Sequence, residues 1–342
     1  MRIAVLNNWV PFLRGGAEQF ATTLVHELRV HGHSAELVKV PLRWEHPGRV
    51  RDSMLSAALL QVEGADRVIG LKFPAYLVPH PDRVVWLIHQ FRQVYDLWDD
   101  ASADESWRPL KRSIVAADRL ALGAPARTWC ISEAVSDRLR EHNGITAPVL
   151  RSPLVDPGQY RCDEYGDYVL CAGRINASKR QLLAVQAMRH TRSGVRLVVA
   201  GPPDSADDLA ALRREVDAHS LHSKVVIIPE FLSEERKVEL HARSLASAYL
   251  PYQEDSYGYV TAESMLSHKA VVTTTDSGDL KVLVQDGTTG LVVPPDPVEV
   301  AAALDRLAAD RPLARRLGVA ARSAVEGLDL TWDRAVSTLS AR

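Results

Sequence analysis

Cysteine is scarce in this chain. Only Cys130, Cys162 and Cys171 occur in 342 residues, with no metal-like spacing. An odd, sparse set excludes a disulfide framework and fits reduced thiols in the cytoplasm. Cys130 and Cys171 lie inside apolar runs and read as small buried hydrophobes. Long apolar runs are missing as well: none approaches the roughly 18–20 residues that span a bilayer. The start, MRIAVLNN, is too short for a signal-peptide apolar region and reads as a first strand. Charge of one sign is not in excess. A formal net charge of −2 with 25% charged residues gives no extended nucleic-acid footprint and no disordered tail. No G-x-G-x-x-G occurs, which counts against a dinucleotide-binding dehydrogenase. Repeats and low-complexity tracts are absent too. These absences predict a cytoplasmic protein, in contact with a membrane at most peripherally at its inner face.

What is present is an alternation of short β-rich runs and amphipathic helical patterns. In the first half the strands are RIAVLNN, AELVKV, DRVIGL, VVWLIH and RTWCIS. Between them, GAEQFATTLVHELRVHG places Phe20, Leu24, Glu27 and Leu28 at helical spacing, and PLKRSIVAADRLAL repeats the pattern. Residues 151–167, RSPLVDPGQYRCDEYGD, break the periodicity with two prolines and two glycines and read as a linker. The alternation then restarts with YVLCAG, VRLVVAG, KVVIIPE, ASAYLPY, AVVTTT and TGLVVPP, followed by an all-helical tail. Continuous Val- and Ile-rich runs are the mark of parallel strands buried on both faces. The chain exceeds the roughly 250–300 residues at which single cores stop growing. Two doubly wound α/β domains facing a cleft are therefore expected.

In such sheets ligands bind where the carboxyl ends of strands feed helices, and four loops of that kind carry candidate chemistry. In NNWVPFLRGGAEQF, Gly15 and Gly16 let the backbone approach a ligand beside a helix amino terminus, although a plain tight turn accounts for them equally. In CAGRINASKRQLL, Arg174 and Lys179 flank a helix start with Ser178 as candidate N-cap. The two cations suit a pyrophosphate, and a bound anion relieves their conflict with the helix dipole; the alternative is solvated charge. In QEDSYGYVTAESMLSHK, Asp255 sits at the cleft lip and Gly258 permits close backbone approach. The N–H groups of Tyr259, Val260 and Thr261 form a second anion cradle, and Glu263 suits vicinal hydroxyls. The plainer reading makes Glu254 and Asp255 loop charges and Glu263 a helix cap. In VVWLIHQFRQVYD, His89 ends a buried strand, as a ligand contact or as a satisfied structural residue, with Arg92, Tyr95 and Asp96 following. His31 and His33 are assigned no metal.

Taken in order, these loops resemble the family 4 retaining glycosyltransferases, which have the two-domain GT-B fold, and the likeness spans nearly the whole chain. It rests on Gly15-Gly16, on GRINASK, on the acidic-x7-Glu stretch DSYGYVTAE, and on TTTDSGDLKVLVQDGTTGLVVPPDP with its turn at Ser277-Gly278. The resemblance implies an acceptor-side Rossmann-like domain over 1–158 and a nucleotide-sugar domain over 159–327, with a final helix over 328–342 crossing back onto the first. It further implies that Arg174 and Lys179 bind the donor diphosphate, assisted by the backbone of Gly15, Gly16 and the Ser256–Val260 stretch around Tyr257, Gly258 and Tyr259. Glu263 would hold the ribose, Phe231 and Leu232 would border the base, and Asp255 and His89 would contact the transferred sugar. Arg92, Tyr95 and Asp96 are candidate acceptor contacts.

The implied reaction retains the anomeric configuration and uses no metal. The acceptor hydroxyl attacks on the face the diphosphate leaves, and donor phosphate takes its proton. No protein nucleophile and no cofactor beyond the nucleoside diphosphate sugar are expected. The acceptor is a sugar, a glycolipid or a small metabolite; nucleic acid is not expected as a partner. One departure stands out: the family has glutamate then glycine where this chain has Asp255 and Ser256, with Glu254 out of spacing by one. Either Asp255 serves with a shorter reach or Glu254 substitutes. The competing readings are a GT-B-fold nucleotide-sugar epimerase and a non-catalytic nucleotide-sugar-binding partner.

Overall fold

The structure is a computed structural model that describes residues 1–11, 16–101, 104–123, 127–154 and 156–341. The chain divides into two compact α/β units, one formed by Met1–Pro153 with the segment from Thr331 onward, the other by Leu154–Leu330. Both divisions follow from burial. Leu154 and Tyr160, inside the linker stretch, are buried in a core of the second unit, while Ala335, Val336 and Leu339 are buried in that of the first. No helix among the described residues is long and apolar enough to cross a membrane.

The first unit contains β1 (Arg2–Trp9), α1 (Gly16–Val30), β2 (Ser34–Pro41), α2 (Pro47–Leu59), β3 (Arg67–Lys72), β4 (Arg83–His89), α3 (Arg108–Gly123), β5 (Arg127–Cys130) and α4 (Glu133–Asn143). Its strands form an all-parallel sheet in the order β2-β1-β3-β4-β5. Six consecutive residues of β1 are buried, as a central strand covered on both faces requires. The strand order reverses beside β1, so the exits of β1 and β3 are where this fold leaves room for a ligand.

The second unit contains β6 (Tyr168–Ala172), α5 (Gln181–Ala187), β7 (Arg196–Ala200), α6 (Ala206–Ala218), β8 (Val225–Ile228), α7 (Glu234–Arg243), β9 (Ala246–Ala248), α8 (Tyr259–Leu266), β10 (Val271–Thr274), β11 (Gly290–Val293), α9 (Pro297–Ala309) and α10 (Arg311–Glu326). Its parallel sheet runs β11-β10-β9-β6-β7-β8, and the reversal lies between β6 and β9. All eleven expected strands are present. One is shorter than its sequence suggests: ASAYLPY is strand only to Ala248, because the Leu250 and Pro251 carbonyls turn away to the guanidinium of Arg180.

The last helix, α11 (Trp332–Ser340), belongs to the first unit and is fastened there in two ways. Its apolar face joins Phe20 and Trp86, whose rings meet edge-on at 4.7 Å, with Trp332 6.0 Å from Phe20. Its end is held by Arg67, 1% exposed, which donates to the carbonyls of Leu339 (2.7 Å) and Ala341 (2.8 Å) and to Asp82 (2.8 Å and 3.0 Å). Removing one partner of a buried charge network leaves the others unsatisfied. Arg67→Ala is expected to destabilise the first unit by about 3 kcal/mol and to raise amide exchange across α11 before exchange in β1 changes. Denaturant unfolding and hydrogen exchange measure this; unchanged protection of α11 would show that apolar contacts alone hold it.

Candidate active site

The β6 and β9 exits in the second unit meet at a cluster of three side chains. Lys179 follows β6 and Tyr249 follows β9; Glu254 lies five residues beyond Tyr249. The Lys179 ammonium donates to Tyr249 Oη at 2.9 Å and to the Glu254 carboxylate, and Tyr249 donates to Glu254 Oε2 at 3.1 Å. Burial alone lowers the pKa of the ammonium, but Tyr249 and Glu254 outweigh it, and the value rises above the usual lysine range. Burial, then the charge of Glu254, pushes the Tyr249 phenol up. The cluster therefore joins an ammonium and a neutral phenol at the Glu254 side chain.

Two glycines make this geometry possible. Gly258 has φ of +70°, and a Cβ there would lie 2.6 Å from the Tyr249 ring, so a side chain would push the phenol off Lys179 and Glu254. Gly278 has φ of +74°, and its Cβ would meet the Glu254 carbonyl at 2.4 Å. Its absence lets the β10 exit close on this loop, with Asp279 N–H donating to Glu254 O at 3.1 Å and Glu254 N–H to Ser277 O at 3.3 Å. Glu254 is thereby fixed toward Lys179. The acid that meets the lysine is thus the one the motif spacing passes over, while Asp255 beside it is half-buried.

Arg174, at the β6 exit, donates to both oxygens of Asp204 at 3.0 Å and 3.1 Å, and Asn176 donates to the same carboxylate at 2.8 Å. Ser178 does not cap the helix: its hydroxyl donates to Asn176 Oδ1 at 2.8 Å, and the Asn176 side chain receives the Lys179 N–H at 2.9 Å instead. Helix α5 starts at Gln181, after Arg180 in left-handed backbone (φ 52°).

Glu263, one turn into α8, is buried against α7. Lys237 donates to its Oε1 at 2.7 Å, and the His241 ring nitrogen Nε2 lies 3.6 Å from Oε2. Burial raises the carboxyl pKa, but the His241 ring and the Lys237 ammonium overcome it and bring it down to about 2. It is ionised at neutral pH. Tyr257, expected at the site, is a core residue at 1% exposure and offers only backbone there. The Ser256 hydroxyl receives the Gly258 N–H at 3.3 Å. The first N–H groups of α8, at Tyr259 and Val260, have no carbonyl four residues back inside the helix, so this end is a cradle for negative charge. In the β8 exit, Phe231 is 77% exposed, an aromatic surface left uncovered, while Leu232 is half-buried against the sheet.

In the first unit, Gly16 opens α1 just beyond β1; Gly15 lies outside the described residues. His89 ends β4, paired in register with Lys72 of β3. Its Nδ1 donates to the Gln90 carbonyl at 2.7 Å. Burial, then the nearby charges of Lys72, Arg92 and Arg138, lowers its pKa to about 3. A neutral ring that donates through Nδ1 presents Nε2 as an acceptor. Arg92 donates to Asp96 at 2.8 Å, and Arg138 lies 3.2 Å from the other oxygen of Asp96. Tyr95 departs from expectation: it is 5% exposed, and its hydroxyl donates inward to Asp118 at 2.7 Å, so it is part of the core and not an acceptor contact.

Sequence reasoning passed over Tyr249, Arg180, Asp204, Asp276, Lys237 and His241. The only local signals were the Lys179-Arg180 pair and the i,i+4 spacing of Lys237 and His241 on one helix face.

Comparison with known proteins shows what the chain is similar to. Residues 156–324 match the family of glycosyl transferases group 1. D-inositol 3-phosphate glycosyltransferase of Xylanimonas cellulosilytica is 30% identical over 176 residues, 50% of this chain but 40% of that enzyme. Among solved structures, sucrose-phosphate synthase from Thermosynechococcus elongatus superposes with a TM-score of 0.78 at 18% identity, covering 98% of this chain and 96% of that one. Anabaena HepE, solved in complex with UDP and glucose, gives 0.75 at 15% identity over 100% of both chains. The fold is that of the two-domain GT-B glycosyltransferases, and the stretch that matches the group 1 model lies in its second unit.

The depressed Glu263 carboxyl has a measurable consequence. An acid whose pKa falls from 4.5 to about 2 on folding stabilises the protein above pH 4.5, and the contribution is lost as pH drops toward 2. It amounts to about 3 kcal/mol at neutral pH. Glu263→Gln is expected to be less stable by up to that amount at pH 7, with the gap closing below pH 4.5. Urea unfolding of both proteins across this range measures it; a gap that does not depend on pH would remove the ion pair as its source.

Proposed function

We propose that this chain, with a group 1 glycosyltransferase domain on a GT-B fold, is a retaining, metal-independent glycosyltransferase. It moves a hexosyl group from a nucleoside diphosphate sugar to an acceptor hydroxyl. The observation that carries this reading is the Lys179–Tyr249–Glu254 cluster at the switch point of the second sheet, with Arg174 on the same strand exit. The group 1 match over 156–324 supports it, as does the likeness to a glycosyltransferase and to a protein solved with UDP and glucose.

In this reading the diphosphate takes over Lys179 and Arg174 from Glu254 and Asp204. The released Glu254 carboxylate, an acceptor only, then turns its lone pairs to hydroxyls of the transferred sugar. The α8 amino terminus adds backbone donors to the phosphate, and Glu263, ionised and held by Lys237, accepts from the ribose hydroxyls. Phe231 and Leu232 border the base. The acceptor hydroxyl attacks the anomeric carbon on the face the diphosphate leaves, and a phosphate oxygen takes its proton. Negative charge that grows on that oxygen is met by Lys179 and Arg174, which supply what a metal ion would otherwise supply. His89, neutral and with Nε2 as acceptor, receives a sugar hydroxyl and does not act as an acid. Arg92 and Asp96 remain the candidate acceptor contacts. The protein works in the cytoplasm, on a sugar, glycolipid or small-metabolite acceptor.

Two measurements test this. A nucleoside diphosphate sugar at 100 times its Kd is expected to stabilise the fold by about 2.7 kcal/mol, read as a thermal shift that persists in chelator. A response confined to NAD-type cofactors would sink the reading. With a donor and acceptor panel, Glu254→Ala is expected to cut kcat by about a hundredfold or more, with a smaller loss in Asp255→Ala. The reverse order would return the sugar contact to Asp255. Epimerised donor, or binding without turnover, would replace the transferase by another activity or by none.

A further inference from the structure

Lys269, between α8 and β10, is a buried amine whose donors reach no carboxylate among the described residues. It is 0% exposed, and among the described residues no carboxylate lies within salt-bridge distance of its Nζ. Its donors go to the thiol of Cys162 at 3.1 Å and to the Glu164 carbonyl, and the ammonium stands 4.2 Å over the Tyr165 ring. Burial pulls its pKa below the ordinary lysine value, against an opposing pull from the Cys162 sulfur. Cys162 differs from the other two cysteines. It is half-exposed, whereas Cys130 and Cys171 are buried and their thiols are pushed up to about 12. An accessible thiol in contact with an enclosed amine is an arrangement that ion pairing does not explain.

We propose that Cys162 and Lys269 are an oxidation site, joined on exposure to hydroperoxide by a covalent N–O–S bridge between Sγ and Nζ. The inference is independent of the proposed glycosyl transfer. Two hydroperoxide molecules balance the chemistry. The thiolate attacks the first: an S–O bond forms, the O–O bond breaks, sulfur loses two electrons, and a sulfenic acid and water result. The amine attacks the second in the same way, giving a hydroxylamine and water. The hydroxylamine oxygen then attacks the sulfenic sulfur and displaces hydroxide, which leaves as a third water with the hydroxylamine proton. Excess dithiol, which supplies four electrons and four protons, returns thiol, amine and one water.

The bridge links positions 107 apart in sequence. It fastens the segment that enters the second unit to the turn after α8, the helix that carries Glu263. A cross-link of this reach removes conformations from the unfolded chain, so the oxidised protein is expected to melt at a higher temperature than the reduced one.

The test treats the whole chain with dilute hydrogen peroxide and reads intact mass and a non-reducing tryptic map. The expected result is a gain of about 14 Da, one oxygen added and two hydrogens lost. Peptide 162–174 should be recovered joined to peptide 244–281, because a modified Lys269 is no longer cleaved. Dithiothreitol should restore both the mass and the cleavage. Cys162→Ser should abolish the change, and Lys269→Arg should leave a thiol that oxidises without linking. Should Lys269→Arg fail to fold, the wild-type map and Cys162→Ser decide alone. A gain of about 16, 32 or 48 Da confined to Cys162, or no modification, would overturn the proposal.

Discussion

One guanidinium organises the second unit's strand exits. Arg180 donates to the carbonyls of Leu250 (2.7 Å) and Pro251 (2.9 Å) beyond β9, and to Thr274 Oγ1 (2.8 Å) and both oxygens of Asp276 (2.7 Å and 2.9 Å) beyond β10. It does so from the start of α5, the helix that follows β6, so a single planar fork joins three adjacent exits. Its left-handed backbone costs about 1 kcal/mol, which charge-assisted hydrogen bonds of about 1.5–3 kcal/mol each more than offset. The consequence reaches the site. Because Arg180 takes two carbonyls from β9, the chain leaves the sheet early, and Glu254 arrives where Lys179 can meet it.

The first unit uses a buried carboxylate for a similar purpose. Asp118, fully enclosed, has its pKa raised to about 6 by burial. It receives hydrogen bonds from Tyr76 (2.9 Å), Gln90 (2.9 Å) and Tyr95 (2.7 Å). Gln90 is held from a second side by Asn143 at 3.0 Å. Its side chain is thereby locked, and its carbonyl is the group that orients His89. The ring at the end of β4 is thus aimed from beneath by polar groups that never reach the surface. Tyr95 belongs to this support.

The strands were legible because parallel strands covered on both faces must be continuous apolar runs, and the glycines were legible because each follows such a run. Gly258 could be singled out from sequence, but not its reason, since the ring it accommodates, that of Tyr249, lies nine positions earlier and was hidden in an apolar stretch. The ionic partners were not legible at all. Lys179 meets Glu254 across 75 positions and Arg180 meets Asp276 across 96, and no local propensity encodes such pairings. Ser178 misled for a related reason: serine is a good N-cap, but here Asn176 takes the local donors and the helix begins later. Motif spacing pointed to Asp255, whereas the backbone pressed by Gly278 turns its neighbour inward.

Each of the cations assembled here already faces a carboxylate: Arg174 faces Asp204, Lys179 faces Glu254, Arg180 faces Asp276 and Lys237 faces Glu263. These four cations therefore form no bare basic patch, in keeping with a chain of nearly balanced charge. For the proposed donor, binding is then an exchange of anions. A diphosphate that takes two cations from their carboxylates replaces ion pairs that already exist, so the net Coulombic gain is modest and affinity for an arbitrary anion is low. What such an anion cannot do is satisfy the carboxylates it displaces. A partner that carries hydroxyls beside its diphosphate can, because each released carboxylate accepts from two or more O–H groups. On the proposed function, discrimination between a sugar nucleotide and a bare phosphate would reside in the acids and not in the bases. In that reading Arg180 and Lys237 stay paired with Asp276 and Glu263, as the fixed frame for the proposed exchange at Lys179 and Arg174.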